Sequence, residues 1–357
     1  MTTISAQTRL ALAHRHQAGL SLVELMISIV IGLLLLAGIS SLIAAQGSAR
    51  GELEKAARQI ENGRYALTMM QDEIQHAGYV GQFSGATAAL AALPSLPCNS
   101  AANAATLTLL ESSLAMPLQG YNAPATVPAE LANCLPAANF VAGTDILVVR
   151  RAEATNTPAT VATAQAGQIY LQTTPDALKT GVGPDPTPAT PTVYTLVQKN
   201  NTTPAELRRY VARIFYISPC NVYAAGATAC TDAADNGRPV PTLKRMDLSV
   251  SGGVVVATET PLVDGIQNMQ LDYGVAASNS AVPGDAYVTA PAVADWPNVM
   301  AVQINLLARS SEASAGKVDA KTYSMGAAGS VGPFSDAYKR HVYTAMARVV
   351  NPSSRRE

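Results

Sequence analysis

Residues 18–26 read Ala18-Gly19-Leu20-Ser21-Leu22-Val23-Glu24-Leu25-Met26, and they open an apolar run that lasts to Ala45 with Glu24 as its only charge. At about 1.5 Å per residue, a helix of that length crosses a hydrocarbon core about 30 Å thick. Upstream, residues 1–19 hold Arg9, Arg15, His14 and His16 and no acid. Basic residues before the span and few just after it orient the N-terminus inward and the bulk of the chain outward, toward the periplasm. Glu24 is the anomaly. An ionised side chain in hydrocarbon costs on the order of 2.5–3.5 kcal/mol even on permissive insertion scales, and a plain anchor has no reason to bear that. The bland reading is a glutamate near the helix end that snorkels to the head groups.

The nine residues resemble the prepilin processing motif of type IV pilins and type II secretion pseudopilins. That resemblance implies a membrane peptidase that cuts after Gly19 and methylates the new N-terminus at Leu20. Glycine suits the cleavage position because a residue without Cβ lets the backbone approach catalytic groups closely. Two departures are mild: the family usually has Phe where Leu20 stands, and Thr where Ser21 stands. The resemblance gives Glu24 a role in assembly register. Its carboxylate would neutralise the new ammonium of a neighbouring subunit, where either charge alone is expensive. A secretory signal peptide cut near Ala44-Ala45-Gln46-Gly47 is the competing reading. The long polar leader, the acid and the length of the apolar run oppose it.

Past the membrane segment the helix is expected to continue to about Ala77. Leu53, Ala57, Ile60, Leu67, Met70 and Ile74 recur at three- and four-residue steps, which predicts one apolar face. Gly78 is the expected stop, and Gly32, Gly38, Gly47 and Gly51 are points where the helix would bend. The segments Glu61–Leu67 (ENGRYAL), His76–Gly81 (HAGYVG), Leu262–Gly274 (LVDGIQNMQLDYG), Trp296–Val299 (WPNV) and Leu306–Ser310 (LLARS) resemble the PilW family of minor pilins. This implies an α+β, pilin-like fold: a long N-terminal helix packed on an antiparallel sheet with loop insertions. The implied organisation is a leader (1–19), a transmembrane half-helix (20–46), a periplasmic half-helix (47–78) and a β-rich periplasmic domain (79–357). The implied partners are other minor pilins, the major pilin, the inner-membrane assembly platform, prepilin peptidase and a tip adhesin. The implied location is the inner membrane before assembly and the fibre, near its tip, afterwards, in support of twitching motility or adhesion.

Composition agrees with an exported domain. Hydrophobic residues make up 48%, charged residues 14% and aromatics 5%, which excludes wholesale disorder. A formal charge of -1 supplies no basic excess for nucleic acid. The four cysteines, Cys98, Cys134, Cys220 and Cys230, form no CxxC pair. Outside the cytoplasm they read as two disulfides, with three connectivities open and local pairing the simplest. The Ala/Pro-rich stretch of about 84–143 reads as a loop insertion. Strands are expected at 145–150, 168–172, 192–198, 208–217, 243–250, 269–273, 300–308 and 341–349, with 181–191 as a loop. Short turns between them argue for antiparallel pairing.

No Walker A loop, GxSxG elbow, HExxH or dinucleotide fingerprint is present. His76 and His341 read as surface or cap residues. Asp145, Asp264 and Asp272 lack EF-loop spacing and read as turn or strand-edge residues. Tyr65, Tyr79, Tyr210, Tyr216 and Tyr273 read as helix–sheet core. No enzyme, metal or cofactor is expected. Three functions compete: a minor pilin of a type IV pilus, a large pseudopilin of a type II secretion system, and an anchored enzyme or binding protein. The PilW-like segments favour the first, and the third lacks the clustered polar site it needs.

Overall fold

The apolar run becomes part of one unbroken helix, α1 (Leu22–His76). The computed structural model describes residues 19, 21–85, 90–155, 157–277 and 287–354. Ser21 caps α1: its Oγ accepts the Glu24 amide at 3.1 Å, satisfying one donor the first turn leaves unpaired. The four glycines expected to bend the helix do not interrupt it. At the far end, Gly78 takes φ +73°, a conformation that favours glycine, and its amide donates to the Arg150 carbonyl. Two compact units divide the chain at Glu54 and Lys55.

In the first unit the large apolar side chains of α1 are exposed, from Leu22 at 74% to Ile43 at 64%. It is the one helix among the described residues long and apolar enough to cross a membrane.

The second unit begins with the last turns of α1. The helix face that packs here is Gln59, Gly63, Ala66, Met70, Glu73 and Ile74. This corrects the expected stripe, because Leu53 is 71% exposed and Ile60 49%. The periodicity was right for Met70 and Ile74. Toward the start of the unit the packed positions are instead small or polar. Gly63 is there because the Tyr343 ring occupies the space a Cβ would need, and Gln59 Nε2 donates to the Ala308 carbonyl at 2.7 Å.

Among the described residues, α2 (Ala104–Ser112) and thirteen strands follow α1. One sheet holds β1 (Leu118–Tyr121), β2 (Ile146–Ala152), β3 (Ile169–Thr173), β4 (Leu178–Val182), β5 (Leu207–Ser218), β6 (Thr242–Ser251) and β7 (Val254–Asp264). A second holds β8 (Ile266–Val275), β9 (Tyr287–Val288), β10 (Val299–Arg309) and β13 (Arg340–Arg348), in the order β13-β10-β8-β9. Strands β11 (Tyr323–Ser324) and β12 (Ser330–Val331) pair with each other. All pairing is antiparallel, so the α+β reading holds.

Two faces of the larger sheet are covered. Leu147, Val149, Phe215, Ile217 and Leu243 meet Ala66, Met70 and Ile74 of α1 together with Ile266, Leu271, Val302 and Ile304 of the second sheet. The opposite face, through Ile146, Val148, Ile214, Tyr216 and Met246, packs on Leu96, Leu110, Leu114, Leu131 and Phe140. This second layer corrects the reading of 84–143 as loop, since the stretch contains α2 and β1 and supplies half of a core. It also explains why β2 opens with four consecutive apolar residues, Ile146 to Val149, as strands covered on both sides do. Each large aliphatic side chain buried here contributes roughly 1.5–3 kcal/mol.

Seven of the eight expected strands are present. The exception is 192–198, which forms only an isolated bridge between Val197 and Pro204. Its amides are drawn off by Asp185, whose carboxylate accepts from Thr192, Val193 and Tyr194. Strand β7 was not expected, because Pro261 and alternating Thr and Glu mask an edge strand.

Candidate functional site

Gly19 and Ser21, which flank the expected cleavage position, are both exposed. Among the described residues nothing lies within 4 Å of where a Gly19 Cβ would sit. Leu20 lies outside the described residues, as do residues 1–18 with His14 and His16. Glu24 is exposed in the first turn of α1. Its carbonyl accepts Ser28 Oγ at 2.7 Å, and its amide is the one held by Ser21. The spacing Ser21-x-x-Glu24 is that of a capping box, a local signal present in the sequence itself. An acid here also opposes the positive end of the helix dipole.

Cysteines pair locally: Cys98 with Cys134 and Cys220 with Cys230, at Cα separations of 5.2 and 5.7 Å. The first pins the layer formed by residues 90–143. The second closes a loop in which Gly226 has φ +77°. Asn139 ties the two together, donating to the Tyr223 hydroxyl at 2.8 Å and accepting the Cys230 amide at 2.9 Å.

Charge inside the second unit is clamped in small clusters. Arg340 is buried; its Nη1 reaches Asp319 at 2.9 Å and Asp336 at 2.6 Å, and its Nε reaches Gln267 at 2.7 Å. Burial pushes the Asp319 carboxyl up, but hydrogen bonds from Arg340 and Tyr323 outweigh it and hold the group below its ordinary value. The Arg340 hydrogen bonds likewise hold Asp336 low, against burial. Lys244, fully buried, donates to Glu259 at 2.8 Å and lies 4.3 Å from the centre of the Tyr223 ring. The Tyr216 and Tyr223 hydroxyls also bond to Glu259. Arg150 is buried without a carboxylate; it donates to the Met116 carbonyl and to Gln119, and burial lowers its pKa. Glu73 of α1 pairs with Arg213 and, at 3.5 Å, with Arg151.

Asp145, Asp264 and Asp272 are not brought together as a site. Asp145 accepts the amides of Ala123 and Leu271, both at 2.7 Å, and so joins the start of β2 to β8. Burial raises its pKa to about 7, against those two hydrogen bonds. Asp264 accepts Asn62 Nδ2 of α1 at 2.7 Å, and Asp272 accepts Asn305 at 3.1 Å. Among the described residues no group of three or more His, Cys, Asp or Glu converges to hold a metal ion. His76 bonds back to the Asp72 carbonyl at 2.8 Å, and His341 stacks edge-on against Tyr343. Tyr210, Tyr216 and Tyr273 are core residues as expected. Tyr65 is a correction at 58% exposed, and Tyr79 is half-buried beneath Arg208.

Comparison with protein families gives two matches. Residues 14–40 match the prokaryotic N-terminal methylation motif. Residues 228–351 match type IV pilus-assembly protein W, PilW. No curated protein and no solved structure matches the chain. The two matches together support a PilW-like type IV pilin.

Proposed function

We propose, from the premise that this chain is a PilW-like type IV pilin, that it is a minor pilin processed after Gly19, held in the inner membrane by α1, and built into the pilus near its tip. The observation that carries this is the start of α1: an exposed, capped helix whose apolar run contains one acid, inside the segment that matches the methylation motif. The leader 1–19 is removed, residues 20–46 cross the membrane, and the β-rich domain stands in the periplasm. After cleavage the ammonium of Leu20 pairs with Glu24 of a neighbouring subunit, which sets axial register without large net stabilisation. The membrane half of α1 meets the helices of other minor pilins and of the major pilin, and the assembly platform takes up the resulting complex. Support for twitching or adhesion follows from a place at the tip.

The test is to probe sheared fibres for the protein by immunoblot, in cells carrying the wild-type chain or Glu24→Ala. The wild-type chain is expected in the fibre fraction, and Glu24→Ala is expected to be processed but retained in the membrane. A wild-type chain found only in the membrane, with normal fibres in its absence, would remove the minor-pilin role.

A further inference from the structure

Strand β13 is the outer strand of the second sheet, and among the described residues only β10 pairs with it. Its free side can be read from its bound side. The Val349 amide donates to the Met300 carbonyl and the Ser310 amide to the Lys339 carbonyl. Between those two bonds the register runs without a shift. Main-chain groups of an antiparallel ladder point alternately to its two sides, so those of Val342, Thr344 and Met346 point away from β10. Gln71 of α1 agrees with that phase, donating Nε2 to the Met346 carbonyl at 2.9 Å. Among the described residues the amides of Val342, Thr344 and Met346 have no partner, nor have the carbonyls of Val342 and Thr344.

A flank of α1 runs beside this edge. Tyr343 sets its ring against Gly63 and donates its hydroxyl to the Gln59 carbonyl at 3.4 Å. The helix therefore covers the face of β13 that carries Tyr343 and Ala347, and Gln71 reaches past it to the edge. At helical spacing Ile60, Arg64 and Leu67 share the flank of Gln71. Ile60 is 49% exposed and Leu67 half-buried. Other outer strands are blunted, as free edges commonly are: Glu111 accepts the Thr180 amide of β4, and β7 carries Pro261. Strand β13 has no proline, no lysine and no bulge.

We infer that the free edge of β13 takes one added strand from another protein, an extended segment that is apolar at every second residue. Unpaired amides and carbonyls repeating every two residues match an extended backbone. A helix cannot meet them, because its own main-chain groups are bonded internally. The apolar residues of the segment lie against the α1 flank at Ile60 and Leu67. The residues between them stand beside Val342, Thr344 and Met346 on the other face. A second copy of β13 fits less well. Paired antiparallel about Thr344, it sets Arg340 opposite Arg348 of the copy, and like charges directly opposite are destabilising. The inference stands whether or not the chain enters a fibre.

The test uses the full chain in detergent micelles and a fluorescein-labelled peptide, Lys-Thr-Val-Thr-Val-Thr-Val-Thr-Lys, read by anisotropy. With its valines on α1, the threonine amides of this peptide face β13. Saturable binding is expected. The peptide N-methylated at its threonine amides is expected to be silent, and the one N-methylated at its valine amides to bind. Thr344→Pro removes an edge amide and is expected to weaken binding roughly tenfold. Met346→Pro does the same at the next free amide and serves if the first variant fails to fold. In the unaltered chain, hydrogen exchange at the amides of Val342, Thr344 and Met346 is expected to slow when peptide is added. No binding, or binding indifferent to which amides are methylated, would overturn the assignment. So would self-association of the full chain that Thr344→Pro or Met346→Pro abolishes, which would give the edge to a second copy.

Discussion

The second unit carries two long excursions and holds them by different chemistry. The stretch 90–143 covers one face of the larger sheet and is closed covalently by Cys98–Cys134. The stretch 310–339, between β10 and β13, is closed by charge: Arg340 gathers Asp319 and Asp336, with the Phe334 ring 3.9 Å from the guanidinium carbon. The first depends on an oxidising compartment. The second depends on ionised carboxylates. One molecule therefore has two points of failure that respond to different conditions.

The sharpest way to break the contrast is Arg340→Ala. It leaves Asp319 buried beside an empty position, and loss of one partner from a buried pair costs on the order of 3–5 kcal/mol. Thermal unfolding of the full chain in detergent measures the loss, and hydrogen exchange should rise across 310–339 but not across 90–143. Next is Cys98→Ser with Cys134→Ser. Opening a loop of sequence separation 36 is expected to remove about 2–4 kcal/mol, with proteolysis appearing within 90–143 and none in 310–339. Gly63→Ala is smaller. Its new methyl meets the Tyr343 ring, and overpacking of this kind costs about 1–3 kcal/mol without touching either clamp.

The last effect is in pH, and its two parts have opposite signs. Asp319 and Asp336 have folded-state pKa values below the ordinary one of 3.8. Their contribution is whole above that value and is lost as pH falls through the lower folded values. Asp145 is raised from 3.8 to about 7. Its contribution is whole below 3.8 and is lost as pH rises toward 7. Urea unfolding should therefore show stability rising from pH 7 toward 4 and falling below it. Asp145→Asn should flatten the upper limb, and Arg340→Ala should flatten the lower one.

The legible parts of the chain were those in which pattern alone decides structure. The membrane run, the Gly78 stop and seven strands stood out because apolar periodicity or β-branched runs mark them. The packed face of α1 was missed at Gln59 and Gly63, where burial rests on a hydrogen bond and on room for a ring. The layer 90–143 hid its core among alanines and prolines, and strand 192–198 yielded to a side chain, Asp185, outside its own window. The cluster of Lys244, Glu259, Tyr216 and Tyr223 was not legible, because β5, β6 and β7 come together only in the fold.

Processing at the N-terminus decides whether the chain enters the pilin pathway. N-terminal sequencing and intact mass of the protein from cells with and without prepilin peptidase test it directly. A mature chain that begins at Leu20 with one added methyl is expected, and an uncleaved chain when the peptidase is absent. An intact leader in peptidase-positive cells, or a chain beginning near Ala45, would contradict it.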